Sequence, residues 1–164
     1  MSKRVPENTD WYIAGFVDGE GSFNVSLRKK SDYNIRWQPV LSFNVSQREI
    51  TVLEIMKKRF GCGIIKRRRD GLHSYDVTKP RDIKEKIIPF FDKYEFLSEN
   101  KMQNYLIFKQ TVDIMVEKKH LEPEGFSDLL LLREKLNKGK GRKRKYTLRT
   151  VLESSETIRQ ASQK

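Results

Sequence analysis

Cysteine and histidine are almost missing from this chain of 164 residues. Cys62 stands alone, and His73 and His120 are the two histidines. One cysteine makes neither an internal disulfide framework nor a cysteine-based zinc site. Two histidines so far apart exclude histidine-rich metal or nuclease chemistry. A metal bound here has to be held by oxygen, and oxygen ligands suit magnesium or calcium. Long apolar runs are missing as well: the longest, such as Leu129–Leu132, fall far short of a membrane span. Met1 to Asp10 is polar, without the apolar core of a secretory signal. These absences lead us to expect an intracellular protein with no membrane partner.

Acidic residues are the minority charge. Lys and Arg number 34 against 22 Asp and Glu, a formal net charge of +12. Such a field favours a polyanionic partner, most often nucleic acid, although charge by itself carries no sequence specificity. A basic ribosome-associated protein fits the same balance. The length suits one domain, large enough to bury roughly 70% of its unfolded surface.

Asp10 reads as the N-cap of a short helix through Ile13 and Val17, stopped by Gly19 and Gly21. Beyond Gly21 the period drops to two, with Phe23, Val25 and Leu27 alternating with Asn24, Ser26, Arg28 and Lys30. After a turn at Asp32-Tyr33-Asn34, a second alternating run sets Leu41, Phe43 and Val45 against Gln38, Ser42 and Asn44. Ser46-Gln47-Arg48-Glu49 reads as a capping box that opens a helix to Phe60, ended by Gly61. A basic strand over Lys66–Arg69 turns at Asp70-Gly71 and returns through Ser74–Thr78, a hairpin signal. Pro80 starts a helix to about Tyr94, and longer helices follow over 98–118 and 124–136. The order helix, strand, strand, helix, strand, strand, helix predicts an α+β fold with one antiparallel sheet and extra C-terminal helices. We divide it at 1–137 for the domain and 138–164 for a basic loop with a short closing helix.

A sheet covered by helices on one side shows its other side to solvent. The outward set is Asn24, Ser26, Arg28, Lys30, Gln38, Ser42, Asn44, Lys66, Arg68, Ser74, Asp76 and Thr78. Arg and Lys match guanine edges in the major groove, and Asn and Gln match adenine. A purely electrostatic surface needs only the cations; a plain solvated face is the bland alternative. A strand of about nine residues spans roughly 30 Å, or about nine base pairs, so two sheets end to end read about 20. Lys138, Lys140, Arg142 and Lys143, in a glycine-spaced run without an acid, suit phosphates beside the sheet; the run is otherwise a solvated tail.

Residues 13–21, IAGFVDGEG, have their own physical logic. Gly15 and Gly19 lie four apart, hence on one helix face, where a second backbone can approach closely. Glu20 follows at the negative end of the helix dipole, an unfavourable place for an acid unless a cation arrives.

The segment IAGFVDGEGSF resembles the LAGLIDADG motif of homing endonucleases, with Ile for the first Leu and Glu for the last Asp. The resemblance runs over about residues 8–118, including the FNVSQ strand end and the stretch Tyr94 to Ser98 before Lys101. It implies a saddle-like DNA-binding sheet and a metal-dependent DNA endonuclease. Glu20 is implied as catalytic metal ligand, with the Gly19 carbonyl as a second ligand. Gln47 positions water, and Lys101 supports the pocket. Asp18 orders the motif rather than ligating metal. The implied cofactor is Mg²⁺, with Ca²⁺ binding without cleavage and Mn²⁺ substituting. One motif copy implies a homodimer packed through Ala14, Gly15, Asp18 and Gly19, cutting a site of roughly 20 base pairs. Double-stranded DNA is expected ahead of RNA. Gln47 is at once a capping-box residue, and Lys101 could equally be a solvated helix lysine. The competing function is a nucleic-acid binder that does not cut, such as an intron RNA maturase or a DNA-binding regulator.

Overall fold

Period-two alternation builds the long hairpin at the centre of the molecule. β1 (Gly21–Lys29) and β2 (Trp37–Gln47) pair antiparallel, setting Phe23 against Phe43, Val25 against Leu41 and Arg28 against Gln38. A short hairpin of β3 (Ile64–Arg67) and β4 (His73–Val77) joins through β4, giving the strand order β1-β2-β4-β3, antiparallel throughout. Gly71, at φ 81, takes the left-handed position in its turn. The computed structural model describes residues 8–138 and 143–154.

The helices lie on one face of the sheet. They are α1 (Thr9–Glu20), α2 (Thr51–Phe60), α3 (Pro80–Asp82), α4 (Ile88–Lys93), α5 (Glu99–Val116) and α6 (Pro123–Lys135). A last helical stretch covers 148–154. Between α3 and α4 the chain widens into a π turn, Ile83–Ile87, in which the Ile88 amide reaches the Ile83 carbonyl. Pro89 is the cause: it has no N–H to give and its ring crowds the carbonyl four residues back. The single helix expected from Pro80 to Tyr94 is therefore three abutting pieces.

Phe23 anchors the main core, with ring centroids 5.1 Å from Phe108, 5.4 Å from Phe43 and 5.6 Å from Tyr105. Burying each such ring contributes about 1.5–3 kcal/mol. A second, smaller core forms at the far end of the hairpin, where Leu27 and Trp37 meet Phe126, Leu130 and Val151. Trp37 Nε1 donates to Ser154 Oγ at 2.9 Å, so residues 143–154 pack against the same sheet as the preceding domain.

Two local expectations fail. Asp10 is not the cap: α1 begins at Thr9, and Asp10 in its first turn pairs with Arg59 at 2.6 Å. Ser46 and Gln47 form no capping box, because β2 runs through Gln47 and α2 starts at Thr51. Cross-strand pairing to Ser74 and His73 outcompetes the local hydrogen bonds a box would offer.

Candidate functional site

The helix-to-strand junction at Glu20-Gly21 is sterically tight. A Cβ on Gly21 would lie 2.5 Å from Val17 Cγ1 and 2.8 Å from the Val17 carbonyl oxygen, so the turn admits only glycine. Glu20, the last residue of α1, is exposed and makes no hydrogen bond or ion pair among the described residues. Asp18, just before it, is engaged: it accepts from the amides of Leu97 and Ser98, each at 3.1 Å, and from the Ser98 hydroxyl. Partial burial pushes its carboxyl up, but the Ser98 and Leu97 hydrogen bonds outweigh that and hold it below the usual range. Asp18 thereby fixes the start of α5 against the end of α1.

That docking brings Lys101 into place. On the first turns of α5 and half-buried, Lys101 donates to the Gly21 carbonyl. Burial lowers its pKa, with the charges of Asp18 and Glu20 pulling the other way. Gln47 ends β2, two residues beyond Val45, the partner of Gly21. Glu20, Gln47 and Lys101 thus gather at one end of the sheet, together with the Gly19 backbone. Among the described residues no three His, Cys, Asp or Glu side chains form a metal cage.

On α1 the exposed face carries Trp11, Tyr12, Gly15 and Gly19, with Tyr12 stacked on Phe16 at 6.1 Å. Added Cβ atoms at Gly15 and Gly19 would meet nothing within 4 Å among the described residues. Ala14, expected on that face, is only 3% exposed and points into the protomer's own core. Its methyl group is taken up within the protomer, unlike the open positions of Gly15 and Gly19.

The outward sheet face holds Asn24, Ser26, Arg28, Gln38, Ser42, Asn44, Lys66 and Asp76, set opposite one another by the register. Four expected members depart from this. Ser74 is buried, its hydroxyl held between Asn44 and Asp76. Lys30 and Thr78 lie just beyond their strands, Lys30 over the Tyr33 ring at 5.0 Å. Arg68 lies past β3, paired with Asp70 at 3.1 Å. Ser46, on the polar side of the second alternating run, belongs to the same face, as does Ser22, which went unassigned although the alternation reaches it. Arg28 and Lys66 have no acid within ion-pair distance among the described residues, whereas Arg59, Lys84, Lys86 and Lys109 elsewhere each pair with an Asp. Free positive charge is thus left on the sheet side.

Of the basic run, Lys138 and Lys143 are exposed, while Lys140 and Arg142 lie outside the described residues. Arg144 serves the fold instead, donating to the Leu136 carbonyl at 2.9 Å. Asn137, at φ 53, turns the chain out of α6 and donates to the Phe23 carbonyl at 2.6 Å and Asn24 Oδ1 at 3.3 Å. An Asn just past a helix end is a known left-handed cap, a signal the sequence did carry.

The antiparallel sheet thus shows one open polar face beside a motif helix that ends on an exposed acid. The model of the LAGLIDADG endonuclease family matches residues 13–112, and the chain belongs to that family. It is 31% identical over 151 residues to a probable intron-encoded endonuclease 2 of Neurospora crassa, covering 85% of this chain and 33% of that protein. Among solved structures, the archaeal intron-encoded homing endonuclease I-Vdi141I in complex with DNA superposes with a TM-score of 0.84. The identity there is 30%, with 92% of this chain and 96% of that one covered. I-SmaMI bound to cleaved DNA gives 0.76 at 35% identity, covering 81% of this chain and 45% of that chain. The chain thus spans a third or less of the first curated relatives and about half of I-SmaMI. Among the described residues no helix is long and apolar enough to cross a membrane.

Proposed function

We propose that this chain is a site-specific double-strand DNA endonuclease, acting as a homodimer with divalent metal on a site of roughly 20 base pairs. The observation that carries the proposal is Glu20: exposed, without a partner among the described residues, and held at the rim of a polar sheet face by a junction only glycine permits. The nine and eleven residues of β1 and β2 reach about 30–36 Å, the length of roughly nine to eleven base pairs.

The glycines support the dimer. Each costs about 1 kcal/mol in a helix relative to alanine, and nothing among the described residues comes within 4 Å of a Cβ built at Gly15 or Gly19. Close approach of a second α1 accounts for both, through a two-fold contact. Such a contact brings two Glu20 carboxylates to one place, where each protomer alone offers one.

Carboxylate and carbonyl oxygens fit Mg²⁺, and Glu20 with the Gly19 carbonyl would hold it. When bound, the ion supplies Lewis-acid chemistry, lowering the pKa of a water and offsetting charge on the phosphate. Calcium in the same place is expected to support binding without cutting; I-SmaMI has been solved on uncleaved DNA in the presence of calcium ions. Lys101 sets positive charge beside Glu20 and ties α5 to the junction. Gln47 orders the attacking water from the strand end. Arg28 and Lys66 read base edges, while Lys138 and Lys143 contact phosphates.

Several relatives are named as intron-encoded, and we place this chain's gene in an intron. The test is Mg²⁺-dependent linearisation of a plasmid carrying the intron-free form of the host gene. Wild type should cut it, and Glu20→Gln should bind it without cutting. A Glu20→Gln protein that cuts at near wild-type rate removes Glu20 from the mechanism.

A further inference from the structure

Asp76 is the one carboxylate at an outward strand position of the sheet among the described residues. Facing a polyanion, an acid is unfavourable unless it meets a hydrogen-bond donor. Its surroundings limit which donor that is. Asn44 Nδ2 donates both to Ser74 Oγ at 2.7 Å and to Asp76 Oδ1. The Ser74 hydroxyl donates to Asp76 Oδ2 at 2.9 Å, and the Ser46 hydroxyl to Asn44 Oδ1 at 3.3 Å. A carboxylate only accepts, so the Asn44 amide has no freedom to flip.

The count of donors and acceptors is decisive. Both amide hydrogens of Asn44 are spent, and so is the Ser74 hydroxyl. What remains free is one lone pair on each Asp76 oxygen, on Asn44 Oδ1 and on Ser74 Oγ. Asn44 therefore cannot make the two-sided contact by which asparagine reads adenine, and these three side chains offer acceptors alone, with Lys66 across from Ser74 as the neighbouring donor.

In the major groove, guanine shows two acceptors and thymine an acceptor with a methyl group. Adenine sets its N6 donor beside its own N7 acceptor; cytosine's own edge shows only the N4 donor, with an acceptor on one side alone, the O6 of the paired guanine. We infer that Asp76, clamped by Asn44 and Ser74, selects a cytosine in the target strand. Asn44 faces Ser22, one register step from Gly21 and Val45, so this cytosine lies on the inner side of each half-site, near the cleavage centre. The inference rests on the proposal that the sheet is the DNA-reading face.

The test is selection of random duplexes of about 20 base pairs by the full-length protein in Ca²⁺, followed by sequencing. Three proteins are compared: wild type, Asp76→Asn and Asp76→Ala. In Asp76→Asn the new amide can still accept from Asn44 and donate to Ser74, so this variant keeps the clamp and the fold, which thermal melting checks. Wild type should enrich cytosine about tenfold at one inner position of each half-site. Asp76→Asn should move that position toward adenine, because an amide presents a donor and an acceptor together. Asp76→Ala should lose the cytosine preference at that position, since the accepting carboxylate is gone. If both variants keep cytosine there, or wild type selects guanine or thymine at the position the variants alter, the inference is wrong. A wild-type pool with no selected position overturns the DNA-reading proposal itself, and this inference with it.

Discussion

Lys101 donates its ammonium to the Gly21 carbonyl, joining the first turns of α5 to the point where α1 becomes β1. The bond spans 80 residues of sequence and holds a half-buried cation beside Glu20. Lys101→Met should lower the cleavage rate roughly 100-fold, the usual effect of losing one placed electrostatic group. Binding in Ca²⁺ should change little. Equal losses in binding and cutting would make Lys101 a DNA anchor instead.

Asp18 is expected to matter through α5. Asp18→Ala removes three hydrogen bonds to Leu97 and Ser98 and should destabilise the fold by about 1 kcal/mol. It should also slow cleavage, since Lys101 loses its fixed start. Denaturant melts paired with cleavage rates check both effects, and a variant of unchanged stability denies the docking role.

Gly15→Leu should leave the protomer folded, because the space at that position is open, yet break the dimer. Sedimentation should shift from twice 19.5 kDa toward a single chain, with cleavage lost in parallel. A wild-type monomer that cuts both strands contradicts the two-fold contact.

The sheet and the basic run should separate by salt and sequence. Arg28→Ala should relax preference at a particular base pair by about 1–3 kcal/mol, with Arg68→Ala weaker because Asp70 already holds that guanidinium. Replacing Lys138 and Lys143 by Gln should weaken all sequences alike, lowering the salt slope by about 0.9 per lost phosphate contact. Removing everything after Asn137 is a different experiment. It strips Val151 and Tyr146 from Trp37, and Val151→Ala alone should cost about 2 kcal/mol.

His120 should give the fold a pH dependence unrelated to cutting. It is buried in the turn between α5 and α6, with Nδ1 unpartnered among the described residues. Burial lowers its pKa, against a smaller upward pull from the Ile114 backbone. The unfolded chain takes its proton near pH 6.5 and the folded chain only at lower pH. Stability therefore falls as pH drops below about 6.5, by at most about 1.4 kcal/mol per pH unit. His120→Leu should flatten urea-derived stability across that range; an unaltered slope would assign it to other groups.

Much of this was legible from local pattern. Alternation identified β1 and β2 and most of their outward residues, because a strand's side chains switch faces at every step. The motif over residues 13–21 pointed to Glu20 and to the two open glycines, since its spacing sets them on one turn-connected face. Asp70-Gly71 marked the short hairpin by a backbone need that few residues meet.

What only the tertiary structure decided is where chemically similar residues spend their hydrogen bonds. Ser74 and Ser42 look alike in sequence, yet Ser74 is buried between Asn44 and Asp76 while Ser42 lies half-exposed across from Asn24. Arg28 stands within β1 without an acid among the described residues, whereas Arg68 lies past β3 and pairs with Asp70. Arg133 and Arg144 are two among 34 basic residues, and they became part of the fold by meeting the carbonyls of Val25, Tyr146 and Leu136. Periodicity fixes which way a side chain points. Partners such as Asn44 for Ser74 and Val25 for Arg133 come from strands far away in sequence, and those meet only when the chain closes.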